Sequence, residues 1–128
     1  MVTIGCSGDI IAARQEGRDI ALGLGFADTE AVLIATAISE LARNIVVYAK
    51  PGQIRIAKAY DRGQMGVTLV AKDNGSGIRD VERVLAGGYS TSGGLGLGIS
   101  GVRQIMDEFA VDTTLGRGTV IVTTKWLP

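Results

Sequence analysis

The spacing of apolar residues changes once along this chain, close to Lys50-Pro51-Gly52, and that change limits the folds available to it. Before the break, Leu33, Ala37, Leu41 and Ile45 recur every fourth position, as a helix packed on a core requires. After it, Val67, Leu69, Ala71 and Asp73 alternate with Thr68, Val70 and Lys72, which is the period of a strand. Pro51 cannot continue a helix, so the break falls where the pattern changes. A chain of 128 residues with 46% hydrophobic content can build one core, and a single domain over 1–128 is expected.

The remaining elements follow from caps and turns. Asp9 is expected to cap a first helix running to about Leu24, with Gly25 at its stop and Ile10, Ala13, Ile20 and Leu24 facing inward. A second helix starts after Asp28 and runs to about Ala49. Gln53–Tyr60 and Met65–Asp73 read as strands joined by the turn Asp61-Arg62-Gly63-Gln64. Ile78–Ala86 reads as a short helix, Gly87–Gly96 as a loop, and Leu97–Phe109 as a helix with Ile99, Val102, Ile105, Met106 and Phe109 on its apolar side. A hairpin, Val111–Leu115 and Thr119–Trp126, closes the chain around Gly116-Arg117-Gly118. The order α, α, β, β, α, α, β, β predicts an α/β fold with one sheet carrying helices on one face.

Composition removes several classes of function. Thirteen basic and thirteen acidic residues balance, which argues against a strongly basic nucleic-acid surface. No run of 18 apolar residues occurs and MVTIGCSGDI lacks a basic region followed by a long apolar run, so neither a membrane partner nor a secretory signal is expected. Cys6 is the single cysteine and fits a reducing, cytoplasmic setting. There is no histidine, so no mechanism that needs an imidazole of this chain is available.

Three segments carry candidate chemistry, and each also has an ordinary structural reading. Glu40 and Asn44 are four apart on the second helix and stand one above the other. They are either helix-surface groups, with Glu40 paired to Arg43, or a carboxylate base beside an amide oxygen suited to Mg²⁺. Asp73-Asn74-Gly75-Ser76-Gly77 is ordinary turn chemistry, or a buried acid awaiting a donor such as a purine amine. Asp73 ends an inward-facing row, and Gly75 and Gly77 would let a flat base approach the backbone. Gly94, Leu95, Gly96, Leu97 and Gly98 lead into a helix, and are either a flexible loop or a set of backbone N–H groups for phosphate. Gly96-Leu97-Gly98-Ile99-Ser100-Gly101 also spells the dinucleotide fingerprint, but a polar loop precedes it and no acid follows Asp112, so that reading is rejected. No P-loop pattern is present.

In order and spacing these segments resemble the motifs of the GHKL ATPases, named for gyrase, Hsp90, histidine kinases and MutL. Glu40 and Asn44 match the N box, Asp73-x-Gly75-x-Gly77 the first glycine box, Gly94-x-Gly96-x-Gly98 the second, and Gly118-Thr119 the closing Gly-Thr. Within that superfamily, Glu40-Leu-Ala-Arg-Asn44, Asp107-Glu108-Phe109 and Lys125-Trp126 look most like the serine/threonine switch kinases of the bacterial stressosome, relatives of the anti-sigma-factor kinases.

The resemblance implies a two-layer Bergerat-type sandwich with a mixed, mostly antiparallel sheet, using ATP and Mg²⁺. It implies Glu40 as general base, Asn44 on Mg²⁺, and Asp73 on the adenine amine with Gly77 and Thr119 supporting that pocket. The Gly94–Gly98 backbone would hold phosphates and Gly87–Gly93 would be a lid. Substrates would be STAS-domain proteins of a stressosome, after which a downstream regulator such as a phosphatase is engaged. The alternative is an ATP-gated, non-catalytic binding module such as an anti-sigma factor. Two departures from the relatives stand out: Tyr48 where many carry a histidine, and no Lys or Arg from 87 to 101. The second implies slow turnover.

Overall fold

A computed structural model describes residues 2–48, 51–75, 98–114 and 118–128. Its elements are β1 (Val2–Ile4), α1 (Ser7–Leu24), α2 (Asp28–Tyr48), β2 (Gly52–Asp61), β3 (Gln64–Asp73), α3 (Gly98–Ile105), β4 (Glu108–Thr114) and β5 (Gly118–Trp126). The expected helix Ile78–Ala86 and loop Gly87–Gly96 lie outside the described residues, as do Gly77, Gly94, Leu95, Gly96 and Leu97.

The strands form one sheet in the order β1-β2-β3-β5-β4, and every described pairing is antiparallel. Ile54, Ile56, Val67, Leu69, Ala71 and Ile121 point to one face and join Ala13, Ile34, Ile38, Leu41, Ile45, Ile99 and Val102 of the helices in one buried cluster. The described helices therefore cover that face, and Gln53, Arg55, Lys72 and Val122 of the alternate parity are exposed.

Local chemistry sets the element ends. Arg62 and Gly63 have φ of +50° and +80°, so a two-residue turn closes β2 onto β3 with Asp61 opposite Gln64. Gly25, at φ +104°, ends α1; its N–H donates to the Leu22 carbonyl and that of Phe26 to Ala21, which satisfies two carbonyls left over by the helix. Phe26 is buried behind this turn.

Four expectations are corrected. Asp9 does not cap α1 from outside: Cys6 is the extended residue before the helix, and Asp9, inside the first turn, accepts the N–H groups of Gly5 (2.9 Å) and Cys6 (3.2 Å) through Oδ2. Residues 2–4 are a strand, too short for its alternation to register, yet Val2 pairs with Ile54 and Ile4 is fully buried. Leu33 is exposed; the inner side of α2 is Ala31, Ile34, Ala35, Ile38, Leu41, Ala42 and Ile45, with Ala37 at its edge. A spacing of four alone drifts around a helix of 3.6 residues per turn.

The last helix is also shorter than expected. It stops at Ile105, and Phe109 lies on β4. Ile105 and Phe109 suit a helix by their spacing of four, while Phe109 and Val111 suit a strand. β5 decides between them. Lys125 Nζ donates to the Ile105 carbonyl (3.1 Å), the Asp107 N–H to the Thr124 carbonyl (2.9 Å), and the Trp126 N–H to Asp107 Oδ2 (2.7 Å).

Candidate active site

The candidate site comprises two groups of residues, one at the end of β3 and one where α2 meets α3. The first centres on Asp73, the last residue of β3. Its neighbours in the ladder are Gly52 on β2 and Thr119 on β5. Asp73 is 7% exposed and Thr119 4%, so the inward parity read from the sequence is the one observed. Asp73 Oδ1 accepts the Gly75 N–H at 2.9 Å, which holds the carboxylate against the turn that follows. A depression open to solvent lies at the end of these strands, lined by Lys72, Asp73, Asn74, Asp112, Gly118, Thr119 and Val120, of which Lys72, Asp112 and Val120 are register partners of the parity opposite to Asp73.

Two glycines, Gly118 and Gly52, make this corner possible. Gly118 has φ +109°, and a Cβ there would lie 2.1 Å from the Asp73 carbonyl oxygen and 2.8 Å from Asn74 Cα. Only a residue without a side chain lets β5 begin that close to the end of β3. Gly52 does the same for the helix layer: a Cβ would lie 2.7 Å from Ile45 Cγ2 and 2.8 Å from the Lys72 carbonyl oxygen. The end of α2 thus presses directly onto the strand that pairs with Asp73. The signal for Gly118 was present in the Gly-Thr pair. Gly52 carried none beyond the end of a helix.

The second group centres on Glu40, whose side chain is 10% exposed. Its Oε2 accepts the N–H of Gly98, the first residue of α3, at 3.2 Å, although 58 positions separate them. Its Oε1 lies 3.8 Å from Nη1 of Arg43. Asn44 is half-buried one turn further along α2. The exit of the glycine-rich segment and the N box thus meet at the start of a helix, where backbone N–H groups and the helix dipole favour anions.

Among the described residues no group of three or more His, Cys, Asp or Glu side chains is arranged to hold a metal ion. The Asn44 side-chain amide would offer one oxygen to Mg²⁺, an ion that keeps several waters and takes few protein ligands. Among the described residues no helix is long and apolar enough to cross a membrane.

An antiparallel sheet backed by helices on one face, with a buried acid at a strand end and a glutamate at the exit of a glycine-rich segment, defines a GHKL-type ATP-binding domain. The family described as histidine kinase-, DNA gyrase B-, and HSP90-like ATPase matches residues 29–128, and the chain belongs to it.

Relatives narrow the class. The chain is 52% identical over 119 residues to the serine/threonine-protein kinase RsbT of Bacillus subtilis (strain 168), which spans 93% of this chain and 90% of that relative. It is 31% identical over 99 residues to the anti-sigma F factor of Thermoanaerobacter sp. (strain X514), covering 73% of this chain and 68% of that one. Among solved structures, the mycobacterial sensor histidine kinase MprB shares the fold, with a TM-score of 0.56 at 22% identity over 75% of this chain and 71% of that one.

Proposed function

We propose that this chain is an ATP-dependent protein serine/threonine kinase in which Glu40 is the general base. The observation that carries the reading is the meeting of the Glu40 carboxylate with the Gly98 N–H at the start of α3. Glu40 takes the proton of the acceptor hydroxyl as its oxygen bonds to the γ-phosphorus and the bond to the β-phosphate oxygen breaks, releasing ADP. Asp73 accepts from the adenine amine, with Gly75, Gly77 and Thr119 around it, and the Gly94–Gly98 segment (Gly94, Leu95, Gly96, Leu97 and Gly98) binds phosphates through backbone N–H groups other than that of Gly98, which Glu40 holds. Asn44 is the protein ligand of Mg²⁺, which when bound offsets charge on the phosphate oxygens.

The chain has no histidine of its own to carry the phosphoryl group, and its identity to a serine/threonine-protein kinase supports a Ser or Thr hydroxyl on a partner protein as the acceptor. Identity to RsbT supports STAS-domain proteins of a stressosome as substrates, followed by engagement of a downstream regulator such as a phosphatase. The absence of Lys and Arg from 87 to 101 leaves less charge to stabilise the phosphoryl in transfer, so turnover is slow, as suits a switch. We assign the chain to a single cytoplasmic domain spanning 1–128.

The similarity to an anti-sigma factor supports a second reading, a binding module whose surface is gated by ATP without transfer. One experiment separates the two. Wild type and Glu40→Gln are incubated with γ-labelled ATP and a STAS-domain acceptor, with nucleotide affinity measured in parallel. The kinase reading expects wild type to label the acceptor and Glu40→Gln to lose about 100-fold or more in rate while still binding ATP. Equal labelling by both removes Glu40 as base. ATP binding without labelling by either supports the binding module.

A further inference from the structure

Arg43 stands between the two residues of the N box, and its spacing from Glu40 suits an ordinary helix-surface pair. The structure gives it a more specific position. With 10% of its side chain exposed, Glu40 is well removed from water for a carboxylate, and such a group needs donors or charge around it. One oxygen, Oε2, has the Gly98 N–H at 3.2 Å. The other, Oε1, faces the Arg43 guanidinium at 3.8 Å, and this is the one ion pair within 4 Å among the described residues.

The two contacts differ in kind. The Gly98 N–H engages a lone pair of Oε2 directly, so that oxygen is tied to the backbone of α3. At 3.8 Å the guanidinium is beyond hydrogen-bond distance from Oε1 and acts through its charge, which orients the oxygen and leaves its lone pairs available to a proton. Arg43 is 37% exposed and Glu40 10%, so the guanidinium lies on the solvent side of the carboxylate. The segment 87–101 brings no cation of its own.

We propose that Arg43 is a positioning residue for phosphoryl transfer, holding the Glu40 carboxylate between itself and Gly98 so that Oε1 is the oxygen that accepts the acceptor-hydroxyl proton. This rests on Glu40 being the base. A base displaced by even an ångström loses much of its rate, whereas ATP and acceptor affinity need not change.

The test uses the full chain as wild type, Arg43→Gln, Arg43→Lys, Glu40→Gln and the double variant Glu40→Gln/Arg43→Gln. Initial rates of label transfer from γ-labelled ATP to a STAS-domain acceptor give kcat and KM, and the amide resonance of Gly98 reports the Glu40 contact without any acceptor. Arg43→Gln is expected to lower kcat by about 10- to 100-fold with both KM values within about twofold, and Arg43→Lys to recover most of that loss. In the Glu40→Gln background, Arg43→Gln is expected to add nothing further. The Gly98 amide is expected to shift in Arg43→Gln and to return in Arg43→Lys.

An unchanged kcat, a loss confined to KM, full additivity in the double variant, or a Gly98 amide that responds to Glu40→Gln but not to Arg43→Gln overturns the proposal. A fully active Glu40→Gln removes the base assignment itself. An inactive Glu40→Gln beside an unaffected Arg43→Gln overturns the role of Arg43 alone.

Discussion

Replacing Gly118 by alanine tests whether the corner at Asp73 is held by backbone contact. The residue sits at φ +109°, outside the conformations that side chains tolerate, which costs alanine about 1–2 kcal/mol. Its Cβ would also lie 2.1 Å from the Asp73 carbonyl oxygen and 2.9 Å from the Asp73 carbonyl carbon. These are backbone atoms of a central strand and cannot rotate away, so relieving the overlap adds about 1–3 kcal/mol. The sum, roughly 2–5 kcal/mol, is a large part of the 5–15 kcal/mol typical of a domain.

Converted through the unfolding entropy of a chain this size, the melting temperature should fall by roughly 7–19 °C. Gly63→Ala is the control. It shares the positive φ, at +80°, but a Cβ there meets nothing within 4 Å, so only the conformational strain applies. Thermal unfolding of both variants, with ATP affinity measured well below each transition, gives the comparison. A loss of Tm in Gly118→Ala no greater than in Gly63→Ala would refute the contact reasoning. The overlap also displaces Asp73, so ATP affinity should weaken in Gly118→Ala and stay unchanged in Gly63→Ala.

Two further outcomes follow from individual carboxylates. Asp73→Asn keeps an oxygen able to accept the Gly75 N–H but presents an amide to the adenine amine; stability should hold while ATP affinity falls about tenfold or more, measured by calorimetry. The Gly5 and Cys6 N–H groups hold the Asp9 carboxyl below its ordinary value of 3.8. A lowered folded value means that Asp9 contributes stability above pH about 4 and loses it as pH falls through the folded value. Urea unfolding from pH 6 down to pH 2 should therefore show a weaker acid dependence in Asp9→Asn than in wild type, and equal slopes would remove the capping assignment.

Much of this molecule was legible in the sequence because its signals are local. Pro51 and Gly52 marked the end of α2, Arg62-Gly63 the hairpin, and Gly25 the end of α1, each through backbone conformation that the residue itself dictates. Parity alone turned Asp73 inward, because side chains alternate on any strand whatever its partners are. The motif order likewise carried the family.

What the sequence left open depended on which element came to lie beside which. Phe109 fits helix and strand spacing equally, and β5 settled it through Lys125 and Asp107. Leu33 matched a spacing of four, but the side of α2 that turns inward was decided by α1 and the sheet. Gly52 looked like punctuation until Ile45 was packed against it. The meeting of Glu40 with Gly98, 58 positions apart, has no local cause at all. Periodicity and turn chemistry determined the elements and the residue types at the site; only packing α2 against α3 decided which oxygen of Glu40 is tied to the backbone and which faces Arg43.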